Sequence, residues 1–363
     1  MSGDARVYVI CGSGGVGKTT TSAALAVRLA QAGARTLVLT IDPARRLADA
    51  LGIGTIGNAT QRVEGIPGAA ALDAMMLDAK QTFDALVTRH ARTSEARDRI
   101  LRNRIYTFVS TRLPGVHEYM AMEKLHELAT TGRWDAIVLD TPPSAHALDF
   151  LAAPARMANL MDEGVMRWLV LPTTRGGWRM LERGSELLAG VLNSMLGERT
   201  IGDIAEFFSA FQGLWDGFRE RSNAVRALLA APSTRFLLVT TPAPGARAEA
   251  IAVLDVLAQR GLPFAGFLVN RCAAPPHAGD PRFGQPAGED TAALEDALRA
   301  MVHAQRERVA REEGAIAALT AAARSAGAAL GDVPVWRIQE QPSPPHDVRA
   351  LTLLAAELPD LAA

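Results

Sequence analysis

The chain has 363 residues, 48% of them hydrophobic, enough to bury a large core as one elaborated domain or two. Its formal net charge of -1, with acids and bases interspersed, offers no basic field to nucleic acid or to an anionic membrane surface. No run reaches the roughly 18 apolar residues of a membrane span, and the opening Met-Ser-Gly-Asp-Ala-Arg, with its early acid, is unlike a signal peptide, so a cytoplasmic location is expected.

The first element is an apolar run of strand length, Val7 to Cys11, followed by Gly12, Ser13, Gly14, Gly15, Val16, Gly17, Lys18, Thr19 and Thr20, and then by Ala/Leu-rich helical spacing to Ala32. Gly12, Gly17, Lys18 and Thr19 fill the fixed positions of G-x-x-x-x-G-K-[ST]. In that pattern backbone N–H groups cradle phosphates, the lysine reaches the β- and γ-oxygens, and the hydroxyl holds magnesium. The strand, loop, helix order places phosphates at a helix N-terminus, where unpaired N–H groups and the helix dipole favour anions. ATP and magnesium are the expected ligands.

A second strand, Thr36 to Ile41, delivers Asp42 and Pro43 at its end. A carboxylate there can orient or deprotonate the water that attacks a γ-phosphate. Helical stretches fill Asp78 to Leu128 around a Leu-Pro-Gly break at 113 to 115. A strand from Ala136 then ends in Asp140, placed to orient magnesium-bound water beside Thr19, and runs on through Thr141, Pro142, Pro143 and His146.

Phe150 to Leu229 is a long helical insertion holding Met157, Met161, Met166, Met180 and Met195, with Trp168, Trp178 and Trp215. Such residues make either the insertion's own core or an adaptable groove for a hydrophobic client, because unbranched thioethers repack cheaply. Strands follow at Phe236 to Thr240, Phe264 to Asn270 and Val333 to Ile338. Between the last two lie a turn-rich loop, 273 to 290, and a helical stretch, Glu289 to Leu330, with Gly314 and Gly327 as possible breaks. Cys11 and Cys272 have no metal-ligand spacing.

Continuous apolar strands alternating with helices predict an α/β fold with a doubly wound, mostly parallel sheet. Ligands bind such sheets at the C-terminal strand ends, so Gly12, Asp42, Asp140 and Asn270 are expected to converge on one nucleotide. The organisation expected is a single P-loop domain over 1–363, with a helical subdomain formed by about 90–130 and 152–230.

The loop at 12 to 20, Asp42-Pro43-Ala44, Pro114-Gly115 followed by Glu118, the segment from Asp140 to Leu151, and Asn270 together resemble the ArsA/Get-type ATPases. This is the arsenite-pump and tail-anchored-protein-targeting family within the deviant P-loop class. The resemblance is closest to single-P-loop bacterial members. It implies that Asp42 activates water, Asp140 belongs to the magnesium shell and Asn270 reads adenine. It also implies an ATP-gated, face-to-face dimer whose helical regions move with the switches.

Three departures constrain the function. Arsenite sites of the family use three thiolates, and this chain has two distant cysteines. The C-x-x-C that clamps zinc between eukaryotic subunits is absent, its place taken by the loop at 273 to 290. Ser13 stands where the family has a lysine that crosses the dimer interface to stabilise charge on the partner's nucleotide. A chain with Ser13 cannot give that lysine but can receive one, so a heterodimer with a homologous ATPase subunit is expected over a homodimer, unless Arg45 or Arg46 substitutes. The expected function is an ATP-hydrolysing switch that handles a hydrophobic or tail-anchored membrane-protein client. The alternatives are an arsenite or anion-pump motor, a ParA/MinD-like positioning ATPase, which the acid-rich C-terminus disfavours, and a low-turnover regulatory subunit.

Overall fold

The structure is a computed structural model that describes residues 5–42, 44–112, 115–142, 207, 215–276, 289–325 and 333–361. Among these residues eight strands form one sheet: β1 (Arg6–Cys11), β2 (Thr36–Thr40), β3 (Gln61–Val63), β4 (Leu72–Met76), β5 (Ala136–Asp140), β6 (Thr234–Thr240), β7 (Phe264–Cys272) and β8 (Val335–Gln339). Their spatial order is β3-β4-β2-β5-β1-β6-β7-β8. All neighbours pair in parallel except β3, which runs antiparallel to β4 at one edge. The helices are α1 (Lys18–Gln31), α2 (Arg46–Leu51), α3 (Ala79–His90), α4 (Ser94–Arg102), α5 (Arg104–Arg112), α6 (Val116–Ala129), α7 (Trp215–Ala230), α8 (Pro244–Gln259), α9 (Glu289–Ser325) and α10 (Val348–Ala355).

Successive side chains of a strand point to opposite faces, so a strand buried on both sides must be apolar throughout. β1 does this. Val7, Val9 and Cys11 enter a core layer with Tyr119, Met120 and Leu125 of α6, Phe218 of α7 and Leu254 of α8. Tyr8 and Ile10 face the other way, against Leu25 and Leu29 of α1, Leu47 of α2 and Leu351 of α10. The expected doubly wound sheet is the one formed. The Tyr8 hydroxyl donates to the Leu361 carbonyl at 2.6 Å, tying the last described turn to the middle of the sheet.

Some elements differ from expectation. β4 reads Leu-Asp-Ala-Met-Met, and its acid breaks the apolar run. Asp73 is nevertheless buried, because Arg62 of β3 pairs with it at 2.8 Å and the Trp134 indole N–H donates to it at 2.9 Å. α9 runs through Gly314 without a break, since a residue in a helix whose φ is ordinary needs no glycine-specific geometry. β7 continues two residues past Asn270.

Of the expected helical subdomain, α4 and α5 stand over α3, with the Tyr106 hydroxyl donating to Asp84 at 2.6 Å. α6 belongs to the layer that covers the sheet itself. Apart from Phe207 and 215–230, the span 152–230 lies outside the described residues, as do Met157, Met161, Met166, Met180, Met195, Trp168 and Trp178. Most of the 273–290 loop and Gly327 also lie outside them. Among the described residues no helix is long and apolar enough to cross a membrane.

Candidate active site

The parallel strands β1, β2 and β5 end side by side, which brings the phosphate loop and two acids to one edge. The loop leaves β1 at Gly12, whose φ of 153° is open only to glycine, and a Cβ there would lie 2.2 Å from the Val239 carbonyl oxygen. Gly14 and Gly15 form the exposed tip of the loop, while Ser13 and Val16 are buried. Gly17, at φ 94°, caps α1, and a Cβ there would meet Asn270 Nδ2 at 2.3 Å. These glycines keep a close, side-chain-free path at the head of α1, with Thr19 and Thr20 in its first turn.

Lys18 is 7% exposed, and its Nζ donates to the Ser13 carbonyl at 2.7 Å. Burial lowers its affinity for a proton, and the charge of Asp140 opposes that shift. Asp140 is fully buried at the end of β5. Its Oδ2 accepts from the hydroxyls of Thr19 and Thr40, each at 2.9 Å, and Ser22 Oγ reaches Oδ1 at 3.3 Å. Burial pushes the Asp140 carboxyl up to about 6, against the pull of those hydroxyls and of Lys18. A buried carboxylate against a threonine hydroxyl is a hard, all-oxygen donor set, the kind that suits magnesium. Thr19 is the direct candidate and Asp140, whose Oδ1 keeps acceptor capacity beside the one long contact from Ser22, the candidate for holding a bound water.

Asp42 follows β2 and sits at the rim, its side chain 17% exposed. Its Oδ1 accepts from the Ala44 N–H at 3.0 Å, and Oδ2 is 3.7 Å from Arg46 Nη1. Thr141 is held to β1 by its hydroxyl, which donates to the Ile10 carbonyl at 2.7 Å, and Pro142 follows it. Asn270 reaches across from β7, its Nδ2 donating to the Val16 carbonyl at 2.8 Å and its Oδ1 accepting from the Arg271 N–H at 2.9 Å. In this arrangement its amide fastens the loop. Pro43, Pro143 and His146 lie outside the described residues.

A cleft of about 320 Å³ is lined by Gly15, Gly17, Lys18, Thr19, Thr20 and Asp42 on the phosphate side, with Arg46, Thr141, Arg271 and Pro345 around them; Asp140 holds this lining through Thr19, and Asn270 holds the loop through the Val16 carbonyl. Sequence reasoning did not single out Thr40, Ser22, Arg271 or Pro345. Thr40 had one readable signal: a threonine closing an apolar strand that borders the strand carrying Asp140. Cys11 and Cys272 are both buried and unpaired by disulfide, and burial pushes their thiols up to about 12 and about 11. Among the described residues no cluster of three or more His, Cys, Asp or Glu side chains is arranged to hold a metal ion.

Residues 5–280 match the family model described as anion-transporting ATPase. An uncharacterized protein of Streptomyces coelicolor is 32% identical over 293 residues, which cover 80% of this chain and 68% of that protein. A putative arsenical pump-driving ATPase of Prosthecochloris vibrioformis is 31% identical over 172 residues, 47% of this chain and 41% of that one. The ATPase GET3 of Malassezia globosa is 31% identical over 149 residues, 41% of this chain and 42% of that one.

Proposed function

The chain belongs to the anion-transporting ATPase family, and from that premise we propose that it is a magnesium-dependent ATP-hydrolysing switch of the ArsA/Get type that handles a hydrophobic protein client in the cytoplasm. The observation that carries the reading is the convergence of Lys18, Thr19 and Asp42 on one cleft at the ends of three adjacent parallel strands, with Asp140 buried behind Thr19 and bonded to it.

Lys18 and the loop N–H groups hold the β- and γ-phosphates. Asp42, at the rim, orients a water toward the γ-phosphorus. The water oxygen bonds to phosphorus as the bond to the β–γ bridging oxygen breaks; the electron pair leaves on ADP, and Asp42 accepts the water's proton. Magnesium, when bound at Thr19, neutralises charge on the β- and γ-oxygens. Asp140 keeps the Thr19 hydroxyl oriented, and Asn270 keeps the loop against β7 and faces the adenine end.

The client is assigned to the helical part, about 90–130 and 152–230. A heterodimer is favoured because Ser13 is only 6% exposed and its carbonyl is engaged by Lys18, so it presents no charge to a second subunit. The intact Lys18, Thr19, Asp42 and Asp140 leave this chain able to receive a lysine from a homologous subunit. The test is ATP turnover by the chain alone, by the Ser13→Lys variant and by the chain mixed with a lysine-bearing relative, each with and without EDTA and with a detergent-solubilised tail-anchored helix. Turnover is expected to require magnesium and to rise with the partner. Full turnover by the chain alone, unmoved by Ser13→Lys, would remove the ground for a heterodimer.

A second reading, a pump motor triggered by arsenite, takes its support from the name of the Prosthecochloris relative. Both cysteines here are buried thiols, poor metalloid ligands. Stimulation of turnover by arsenite would nonetheless reverse the ranking.

A further inference from the structure

Arg45 and Arg46 follow Asp42 closely, and the fold sends them to different places. One residue along a helix turns a side chain by about 100°. Arg45 lines a separate cavity of about 150 Å³ with Leu47, Thr55, Ile56 and Met76. Arg46 lines the nucleotide cleft, its guanidinium 3.7 Å from the Asp42 carboxylate and its side chain 63% exposed. That is the γ-phosphate end, since Asp42 is the acid that faces the attacking water.

The charges in the cleft point to a polyanion. Lys18, Arg46 and Arg271 line it together with Asp42 and Asp49. Lys18 donates to the neutral Ser13 carbonyl at 2.7 Å. Two neighbouring cations that have no tight carboxylate partner among the described residues gain most from a ligand carrying several negative charges. A guanidinium beside the γ-phosphate stabilises the charge that spreads over its oxygens as the bridging bond breaks.

We propose that Arg46 is a catalytic residue acting within its own chain: it binds the γ-phosphate of ATP and supplies the positive charge that a second subunit's lysine would otherwise bring. The move has a second consequence. When the guanidinium turns to the γ-oxygens it leaves Asp42, whose Oδ2 is then free to accept the proton of the water. Arg46 therefore couples the arrival of a third phosphate to the release of the base. A homodimer lacking both lysines keeps a source of charge in each site, and a lysine-bearing partner adds to it.

The inference rests on the reading of the cleft as an ATP site, and the test separates the two. Calorimetry on the full chain measures affinity for AMP-PNP and for ADP, both with magnesium, in the wild type, Arg46→Ala, Arg46→Lys and Arg45→Ala. Arg46→Ala is expected to lose ~10-fold or more in AMP-PNP affinity while ADP stays within about twofold, because only the γ-phosphate contact is removed. Arg46→Lys should recover part of the loss, and Arg45→Ala should match the wild type. Single-turnover hydrolysis should fall ~10²-fold or more in Arg46→Ala, below the ~10³ to 10⁵ of a fully enclosed arginine finger because this one is solvent-exposed. An unchanged preference for AMP-PNP over ADP in Arg46→Ala overturns the inference and leaves the ATP site standing. A wild-type chain that binds neither nucleotide overturns both.

Discussion

Two aspartates close two neighbouring strands, and the chain treats them in opposite ways. Asp140, at the end of β5, is sealed from solvent and gripped by the Thr19 and Thr40 hydroxyls, with the Ser22 hydroxyl, shared with the Lys18 carbonyl, farther off at 3.3 Å. Asp42, just past β2, keeps its carboxylate at the rim with one short bond, from the Ala44 N–H, and a loose guanidinium. An acid that fixes geometry gains from burial and multiple donors, because its charge then cannot wander. An acid that takes a proton from water must remain reachable by water. Thr40 joins the two, donating its hydroxyl to Asp140 and accepting the Asp42 N–H at 3.2 Å. Through Thr40, the position of Asp42 is tied to the buried Asp140 end.

The contrast is broken most severely by Asp42→Asn. The amide oxygen still accepts the Ala44 N–H, so the loop keeps its shape, but the proposed base is gone. Turnover is expected to fall ~10² to 10⁴-fold, while stability changes by no more than about 0.5 kcal/mol, as for an ordinary rim position. Single-turnover rates and thermal unfolding read the two quantities; retention of turnover would move the base elsewhere. Thr40→Val acts on the other end. It keeps volume and removes one hydroxyl from a buried carboxylate, at an expected cost of about 1.5–3 kcal/mol in denaturant unfolding. Thr40→Ser should restore most of it, and a Val variant as stable as the parent would mean that the other two hydroxyls suffice.

The same contrast explains what was legible in the sequence. Asp140 and Asp42 are readable because each follows a continuous apolar run, the signature of a strand covered on both faces. The phosphate loop is readable because two of its glycines are demanded by close approach, Gly12 to the Val239 carbonyl and Gly17 to the Asn270 amide. Asp73 made β4 illegible: its partners, Arg62 and Trp134, come from separate elements, and only their convergence makes an acid tolerable there. Thr40 and Ser22 were passed over for the same reason. A hydroxyl in a strand or a helix acquires its meaning from the carboxylate that tertiary packing brings to it. The separation of Arg45 from Arg46 was equally hidden, because it depends on where α2 starts.

The smallest effect is expected at the joint that holds the rigid end together, Asn270. Asn270→Ala removes the hydrogen bond to Val16 and should cost about 0.5–1.5 kcal/mol, the ordinary worth of a neutral hydrogen bond. Its informative use is in a cycle with Gly17→Ala. In the parent, the new Cβ collides with Asn270 Nδ2 and must also adopt a left-handed φ of 94°. In the Asn270→Ala background the collision is gone and only the backbone strain, about 1–3 kcal/mol, remains. The two substitutions should therefore be less costly together than the sum of their separate costs, by about 0.5 kcal/mol or more. Strict additivity would mean that Asn270 gives way easily, and the loop would then be held by its own backbone and by α1, with β7 contributing little to its position.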